Sequence, residues 1–299
     1  MGLPRGDGVK TVLLLSQDVG AFKDATVRVL DFYDHHPINE QQVLAAVGRR
    51  RGILSGRLTA EDLFDFDQDH YGGLEAVATL ARLGGIGASS RVLDVCAGLG
   101  GPARFLAWSL GCRVTAIELN RGRAAGAARL TRLVALTSRV KVVRGNALTL
   151  PFASGSFDAC VSQEAFLHIA DKAAVLGECH RVLTPGGRIA FSDWIAHPRL
   201  ATGERERLET WMAATNLQTL GAYRVLLGRA GFRAIEAEDL SDAWRPILRR
   251  RLEMYRAMRD DIVPRFGQAR YDEYQQLYDF FVGLVEDGKL GGGRLSGTR

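Results

Sequence analysis

One stretch constrains this chain more than any other: Val92-Leu93-Asp94-Val95-Cys96-Ala97-Gly98-Leu99-Gly100-Gly101-Pro102-Ala103, in which an apolar run carries a carboxylate just ahead of closely spaced glycines. Arg91 to Cys96 is short, β-branched and apolar, the pattern of a buried parallel strand, and Pro102 to Leu110 fits the helix that follows. Glycine in the turn between them permits positive φ and lets backbone N–H groups approach a ligand closely. Pro102 suits a first helical position, where its missing donor is not needed. The stretch reads as a cofactor loop.

Two ligands compete for it. Gly98-x-Gly100-x-x-Ala103 satisfies the dinucleotide fingerprint, and Glu118 follows about 20 residues on, as that motif expects. Asp94 separates the readings. A buried carboxylate beside a helix N-terminus repels a pyrophosphate but attracts a ligand carrying an ammonium and a sulfonium, as S-adenosylmethionine does. Here the sequence resembles the first motif of class I S-adenosylmethionine-dependent methyltransferases, in which an acidic residue precedes a glycine-rich turn.

Further motifs recur in that family's order. Cys112 to Ile117 is an apolar strand ending at Glu118, whose two oxygens can take both hydroxyls of a ribose. A third strand, Val140 to Val143, leads to Gly145-Asn146-Ala147, where related enzymes usually carry Asp-Ala beside adenine. Asn146 departs from that pattern, although its carbonyl can accept from the adenine amine and its NH2 can donate to a ring nitrogen. Leu150-Pro151-Phe152 offers an apolar shelf for the base. The fourth strand, Phe157 to Val161, ends in Ser162-Gln163-Glu164-Ala165-Phe166-Leu167-His168-Ile169, which resembles small-molecule N-methyltransferases acting on glycine, sarcosine and dimethylglycine, or on phosphoethanolamine. A helix from Asp171 to Leu183 closes at Thr184-Pro185-Gly186-Gly187, and a strand from Arg188 to Ser192 is expected next.

The resemblance covers roughly Asp67 to Trp194. It implies an α/β fold: a Rossmann-like seven-stranded, mostly parallel sheet with helices on both faces, plus an N-terminal helical cap and helical insertions. The cap is assigned to residues 1–83 and the core to 84–299, with insertions at about 197–220 and 242–287. The implied cofactor is S-adenosyl-L-methionine. Its contacts are assigned to Tyr71, Gly73, Asp94, Ala97, Gly98, Gly100, Glu118, Leu119, Asn146, Ala147 and Gln163.

With 299 residues, 46% hydrophobic and 24% charged, the chain is long enough for one α/β core and an attached helical region. A net charge of +5 invites a nucleic-acid reading, but the arginines are scattered and the dense runs are short, at 49–51 and 249–251. No basic patch interleaved with aromatics accompanies them, and no Asn/Asp-Pro-Pro-aromatic motif follows the fourth strand, so nucleic acid is not expected as a partner. Cys96, Cys112, Cys160 and Cys179 stand singly without Cys-x-x-Cys spacing, as reduced core residues do. Thr11 to Leu15 is too short for a signal or a membrane span, which gives a cytoplasmic expectation with no membrane partner.

Residues 1–20 read as a poorly ordered start and 21–83 as helical. After the core come a helix and a strand over Gly221 to Glu238, two long helices at Trp244 to Asp260 and Tyr271 to Glu286, and a last strand near Lys289 to Leu295. Amphipathic helices at both ends leave a homo-oligomer open. The cluster Asp65-Phe66-Asp67-Gln68-Asp69-His70-Tyr71-Gly72-Gly73 admits a metal site, but carboxylates capping a helix near Leu74 explain it better, and no metal is expected. The resemblance adds that Tyr71, Gly72 and Gly73 cover the methionine end of the cofactor.

Methyl transfer from a sulfonium needs alignment and exclusion of water more than a base. An amine acceptor must nevertheless become neutral, and His168 stands where ligands of open α/β sheets bind. It is assigned as the catalytic base, with a hydrogen-bonded structural histidine as the competing role. Gln163 and Glu164 are candidates for orienting the substrate or contacting the methionine moiety, and His35 and His36 are further pocket candidates beside the plainer reading of a polar cap surface. The expected function is methylation of a small molecule at an amine nitrogen. Methylation at oxygen or carbon of a secondary metabolite, a nicotinamide-dependent oxidoreductase and an inactive cofactor-binding protein are the alternatives.

Overall fold

The computed structural model describes residues 26–34, 36, 38–51 and 57–299. The expected loose start at 1–20 and the candidate His35 lie outside the described residues. Helix α1 (residues 26–34) and α2 (Glu40–Arg51) come first, then α3 (Gly73–Leu83) and the alternating core: β1 (Arg91–Val95), α4 (Gly101–Leu110), β2 (Arg113–Glu118), α5 (Arg121–Leu133), β3 (Val140–Arg144) and β4 (Phe157–Gln163). A 3-10 turn, Phe166–His168, precedes α6 (Lys172–Val182) and β5 (Leu183–Ala196). The remainder is α7 (Thr202–Met212), α8 (Leu220–Arg229), β6 (Arg233–Asp239), α9 (Ser241–Ala257), α10 (Arg259–Phe266), α11 (Gln268–Glu286) and β7 (Leu290–Thr298).

The strands form one seven-stranded sheet in the order β3-β2-β1-β4-β5-β7-β6, a Rossmann-like arrangement. Neighbours from β3 to β5 pair in parallel, and β7 runs antiparallel to both β5 and β6. In β1 every residue after Arg91 is buried, as a parallel strand covered on both faces requires. One apolar layer gathers Ile117, Phe157, Val175 and Phe191, and the other gathers Val77, Ala103, Leu106 and Val114. The chain therefore reverses strand order beside β1 and β4, and the crevice at their C-terminal ends is where ligands of such sheets bind.

Three expectations need correction. The strand expected from Arg188 begins at Leu183 and runs to Ala196, with a register shift between the pairs Phe157↔Leu183 and Ala159↔Arg188. Pro185 to Gly187 are thus an irregularity inside the strand. They sit tightly against it, since a Cβ on Gly187 would stand 2.9 Å from the Thr184 carbonyl and 3.1 Å from that of Asp158. In the C-terminal third, α10 forms between the two expected helices even though Pro264 reads as a breaker, and Gly267, at φ 86°, closes it by donating to the Val263 carbonyl.

The third concerns the acidic cluster, which does not cap α3. Gly72, with φ at 87°, occupies the N-cap and offers no side chain. Asp67 instead pairs with Arg104 of α4 at 2.8 Å, both side chains fully buried, and Asp69 pairs with Arg123 of α5 at 2.7 Å. Among the described residues no group of three or more potential ligands is arranged for a metal ion, and no helix is long and apolar enough to cross a membrane.

Candidate active site

The C-terminal ends of β1, β2, β3 and β4 open on a cleft lined by Asp94, Ala97, Gly98, Glu118, Leu119, Asn146, Ala147, Gln163 and His168. These are nine of the residues assigned from the sequence, brought together from four successive strand ends. The turn after β1 is held by backbone: Ala97 N–H donates to the Ile117 carbonyl at 2.9 Å, and Gly98 N–H donates to Glu118 Oε2 at 2.9 Å. Gly98 has φ at 56°, and a Cβ there would lie 2.9 Å from Arg123 Nη2. The other Glu118 oxygen accepts from Asn120 N–H at 2.8 Å, while Asn120 Oδ1 caps α5 through Arg123 N–H.

Asp94 is 3% exposed, and its Oδ2 has no hydrogen-bond partner. Burial first and the Glu118 charge second push its carboxyl up to about 7. A buried acceptor without a donor is costly in a folded protein unless a ligand supplies one. Gln163 Oε1 is in the same position. Its amide nitrogen lies 3.1 Å from His70 Nδ1, and His70 Nε2 lies 2.9 Å from Gln68 Oε1. Gln68 Nε2 donates to Asp67 Oδ1 at 2.7 Å, which joins this set to the buried Arg104.

Tyr71, Gly73 and Gly100 are not on the cleft. Gly72 turns the chain so that the Tyr71 ring packs on Trp194 and Trp244, at centroid distances of 5.5 and 5.0 Å, under the Arg251 guanidinium. Its neighbours Asp69 and His70 line the cleft instead, and only the Tyr71 backbone approaches, donating to Glu164 Oε1 at 2.8 Å. Gly73 opens α3, and Gly100 is the αL N-cap of α4. Asn146 lines the cleft, and its carbonyl already accepts from Leu148 N–H at 2.9 Å. Cys96 lines the cleft, where burial pushes its thiol well above the usual range and keeps it protonated.

At the far end of the cleft stands a pair that sequence reasoning half missed. His168 Nε2 lies 2.8 Å from the hydroxyl of Tyr33 in α1, and Phe32 packs beside the ring at 5.9 Å. Burial lowers the His168 imidazole to about 4 and raises the Tyr33 phenol, so both are neutral at physiological pH. The Arg123 guanidinium lies over the Tyr33 ring at 4.6 Å. No local pattern announces Tyr33, because its partner lies far along the chain; its position just before Asp34-His35-His36 is the one hint. His36 is half-buried, and desolvation lowers its imidazole despite Asp69 at 4.0 Å.

Glu164 completes this end. It is a non-glycine residue at φ 50°, and burial raises its carboxyl well above the usual range. Behind it, buried Lys172 donates to the carbonyls of Ile169 and Thr215 at 2.8 and 3.0 Å, which ties the turn after β4 to the α7–α8 connection.

Residues 93–191 match the protein family described as "Methyltransferase domain". The chain is 35% identical over 167 residues to glycine/sarcosine/dimethylglycine N-methyltransferase of Actinopolyspora halophila, covering 55% of this chain and 30% of that protein. It is 28% identical over 219 residues to phosphoethanolamine N-methyltransferase 1 of Arabidopsis thaliana, covering 73% of this chain and 44% of that one. The chain thus spans less than half the length of either relative. A solved structure of phosphoethanolamine N-methyltransferase 2 from Haemonchus contortus, with phosphomonomethylethanolamine and S-adenosylhomocysteine, superposes with a TM-score of 0.73 at 21% identity. That match covers 90% of this chain and 59% of the other. At this identity the likeness speaks for the fold.

Proposed function

From the match of residues 93–191 to the methyltransferase-domain family, we propose that this chain transfers the methyl group of S-adenosylmethionine to a small molecule, at an amine nitrogen. One observation carries the reading. Asp94 is a buried carboxylate with an unpartnered oxygen, set between a glycine turn and Glu118. A cationic ligand meets both its charge and its missing hydrogen bond, whereas a nicotinamide dinucleotide would bring a pyrophosphate against it.

The residues present fit the cofactor. Asp94, Ala97 and Gly98 are assigned to its methionine end, Glu118 and Leu119 to the ribose, and Asn146 and Ala147 to the adenine. Gln163 adds a second buried acceptor without a donor. The cofactor supplies a methyl group already activated by its sulfonium. The protein's task is then to hold an amine in line with that carbon, keep water out and take up one proton. Tyr33 and His168 suit the last step: the Tyr33 hydroxyl donates to His168 Nε2, so its oxygen can accept an acceptor N–H while its own proton passes to the imidazole. Glu164, beside them, suits an amine that arrives protonated.

Helix α1 walls this end with Val29, Leu30 and Tyr33, which favours a small acceptor over a nucleic acid. The four cysteines are free thiols, in keeping with a reducing, cytoplasmic setting. Calorimetric titration with S-adenosylmethionine, S-adenosylhomocysteine, NAD and NADP tests the reading. Binding of the first two alone is expected, followed by transfer of a labelled methyl group to amines; binding of a nicotinamide cofactor, or of none of the four, would overturn it.

A further inference from the structure

The charges around the acceptor end of the cleft specify what the acceptor carries, an argument that rests on the methyl-transfer reading above. Among the described residues lining the cleft, Arg123 is the one permanent cation, and five carboxylates line it, of which Asp67 and Asp69 are ion-paired and Asp94, Glu118 and Glu164 are not. Arg123 is already engaged. It donates to Asp69 at 2.7 Å and to the Ile38 carbonyl at 3.3 Å, and its fork lies over Gly98, on the cofactor side of the cleft.

The cations behind the wall are engaged as well. Arg251 donates to the His70 carbonyl at 2.6 Å and stacks on Tyr71, and Lys172 is held by two carbonyls. The lining histidines, His70 and His168, are neutral at physiological pH because burial lowers both. Val29, Leu30, Ile169 and Ala170 add apolar wall around Tyr33, with Thr26 the further polar residue of α1 on the cleft. An acidic group on the acceptor would find no unengaged cation among the described residues of this cleft, and burying it without a counter-charge is penalised heavily.

We propose that the acceptor is an amine borne on an uncharged, largely apolar skeleton, with no carboxylate or phosphate group. The named substrates of the matched relatives differ in this respect, since glycine, sarcosine and dimethylglycine carry a carboxylate and phosphoethanolamine a phosphate. The ammonium end meets the Glu164 carboxyl, the one lining carboxyl neither ion-paired nor assigned to the cofactor, and the rest of the molecule is held by apolar contact.

Matched pairs that differ only in the acid test this. Phenethylamine is compared with phenylalanine, and ethanolamine with phosphoethanolamine, by calorimetry on protein saturated with S-adenosylhomocysteine and by methyl transfer from labelled S-adenosylmethionine. The acid-free member of each pair is expected to bind roughly tenfold or more tightly, with phenethylamine ahead of ethanolamine. Equal or tighter binding of an acidic member, or binding of no member, overturns the inference. The S-adenosylhomocysteine titration separates the two levels, because a protein that fails to take it up has lost the methyltransferase reading itself.

Discussion

Nε2 of His168 stands 2.8 Å from the hydroxyl of Tyr33, while Nδ1 of the same ring stands 3.0 Å from the carbonyl of Ala213. A carbonyl only accepts, so Nδ1 carries the hydrogen and Nε2 the lone pair that receives the tyrosine's proton. Helix α1, the turn after β4 and the residue after α7 thus converge on one imidazole and fix its tautomer.

If that pair moves the acceptor's proton, Tyr33→Phe and His168→Ala should each lower kcat by about 10²-fold and leave the affinity for S-adenosylhomocysteine within about threefold of wild type. Single-turnover kinetics and calorimetry read the two effects separately. A parallel loss of both would place His168 in the cofactor pocket.

Stability should fall on mild acidification. The folded state holds His70 and His168 at about 4, below the ordinary value of 6.5, so between these limits the unfolded chain binds protons that the folded one refuses. Their stabilising contribution is present above pH 6.5 and is lost as pH falls through 4. Urea midpoints at pH 7.5 and pH 5 should drop less in His70→Gln and His168→Gln than in wild type; identical drops would assign the acid sensitivity to other groups.

Asp94 has the opposite sign. Its folded-state value is raised from 3.8 to about 7, so its contribution is present below pH 3.8 and lost as pH rises through 7. Asp94→Asn should therefore stabilise the ligand-free protein at pH 8 by on the order of 1–3 kcal/mol while weakening S-adenosylmethionine binding at least about tenfold. Chemical denaturation and calorimetry on the same sample would show the trade; unchanged cofactor affinity would remove Asp94 from the site.

The buried pair of Arg104 and Asp67 should be unforgiving. Arg104→Met leaves a carboxylate buried without its partner and should cost about 3–5 kcal/mol in denaturant unfolding. Gly101→Ala attacks the same junction sterically, because its Cβ would lie 2.2 Å from the Asp67 carbonyl. That variant should shift the 67–70 segment and weaken cofactor binding, and wild-type affinity would show that the segment is dispensable to the cleft.

The sheet and its glycine turn were legible because buried parallel strands are continuous apolar runs, and Gly98 and Pro102 punctuate them visibly. Asp94, Ala97, Gly98, Glu118, Leu119, Asn146, Ala147 and Gln163 meet at the cleft because they lie at or just after strand ends, whereas Tyr71, Gly73 and Gly100, assigned with them, do not. What stayed hidden depends on contacts across the chain. Asp67 and Asp69 looked like helix caps because their guanidinium partners lie 37 and 54 positions away. Tyr71 was assigned to the cleft because an aromatic beside two glycines does not reveal which way its ring turns, and the left-handed Gly72 sends it into the Trp194 and Trp244 cluster. Tyr33 was invisible for the same reason as the arginines: its role exists only once α1 lies over His168.

The set that runs from Arg104 to Gln163 carries direction as well as strength. Arg104 makes Asp67 a pure acceptor, so Gln68 must turn its NH2 toward Asp67 and its oxygen toward His70. His70 must then donate from Nε2 and keep Nδ1 bare for the Gln163 amide, a contact shorter than the 3.4 Å approach of Nδ1 to the Tyr71 carbonyl. The Gln163 oxygen is thereby the atom left facing outward. A guanidinium sealed beneath α4 decides, four side chains away, that this wall asks its ligand for a hydrogen rather than offering one.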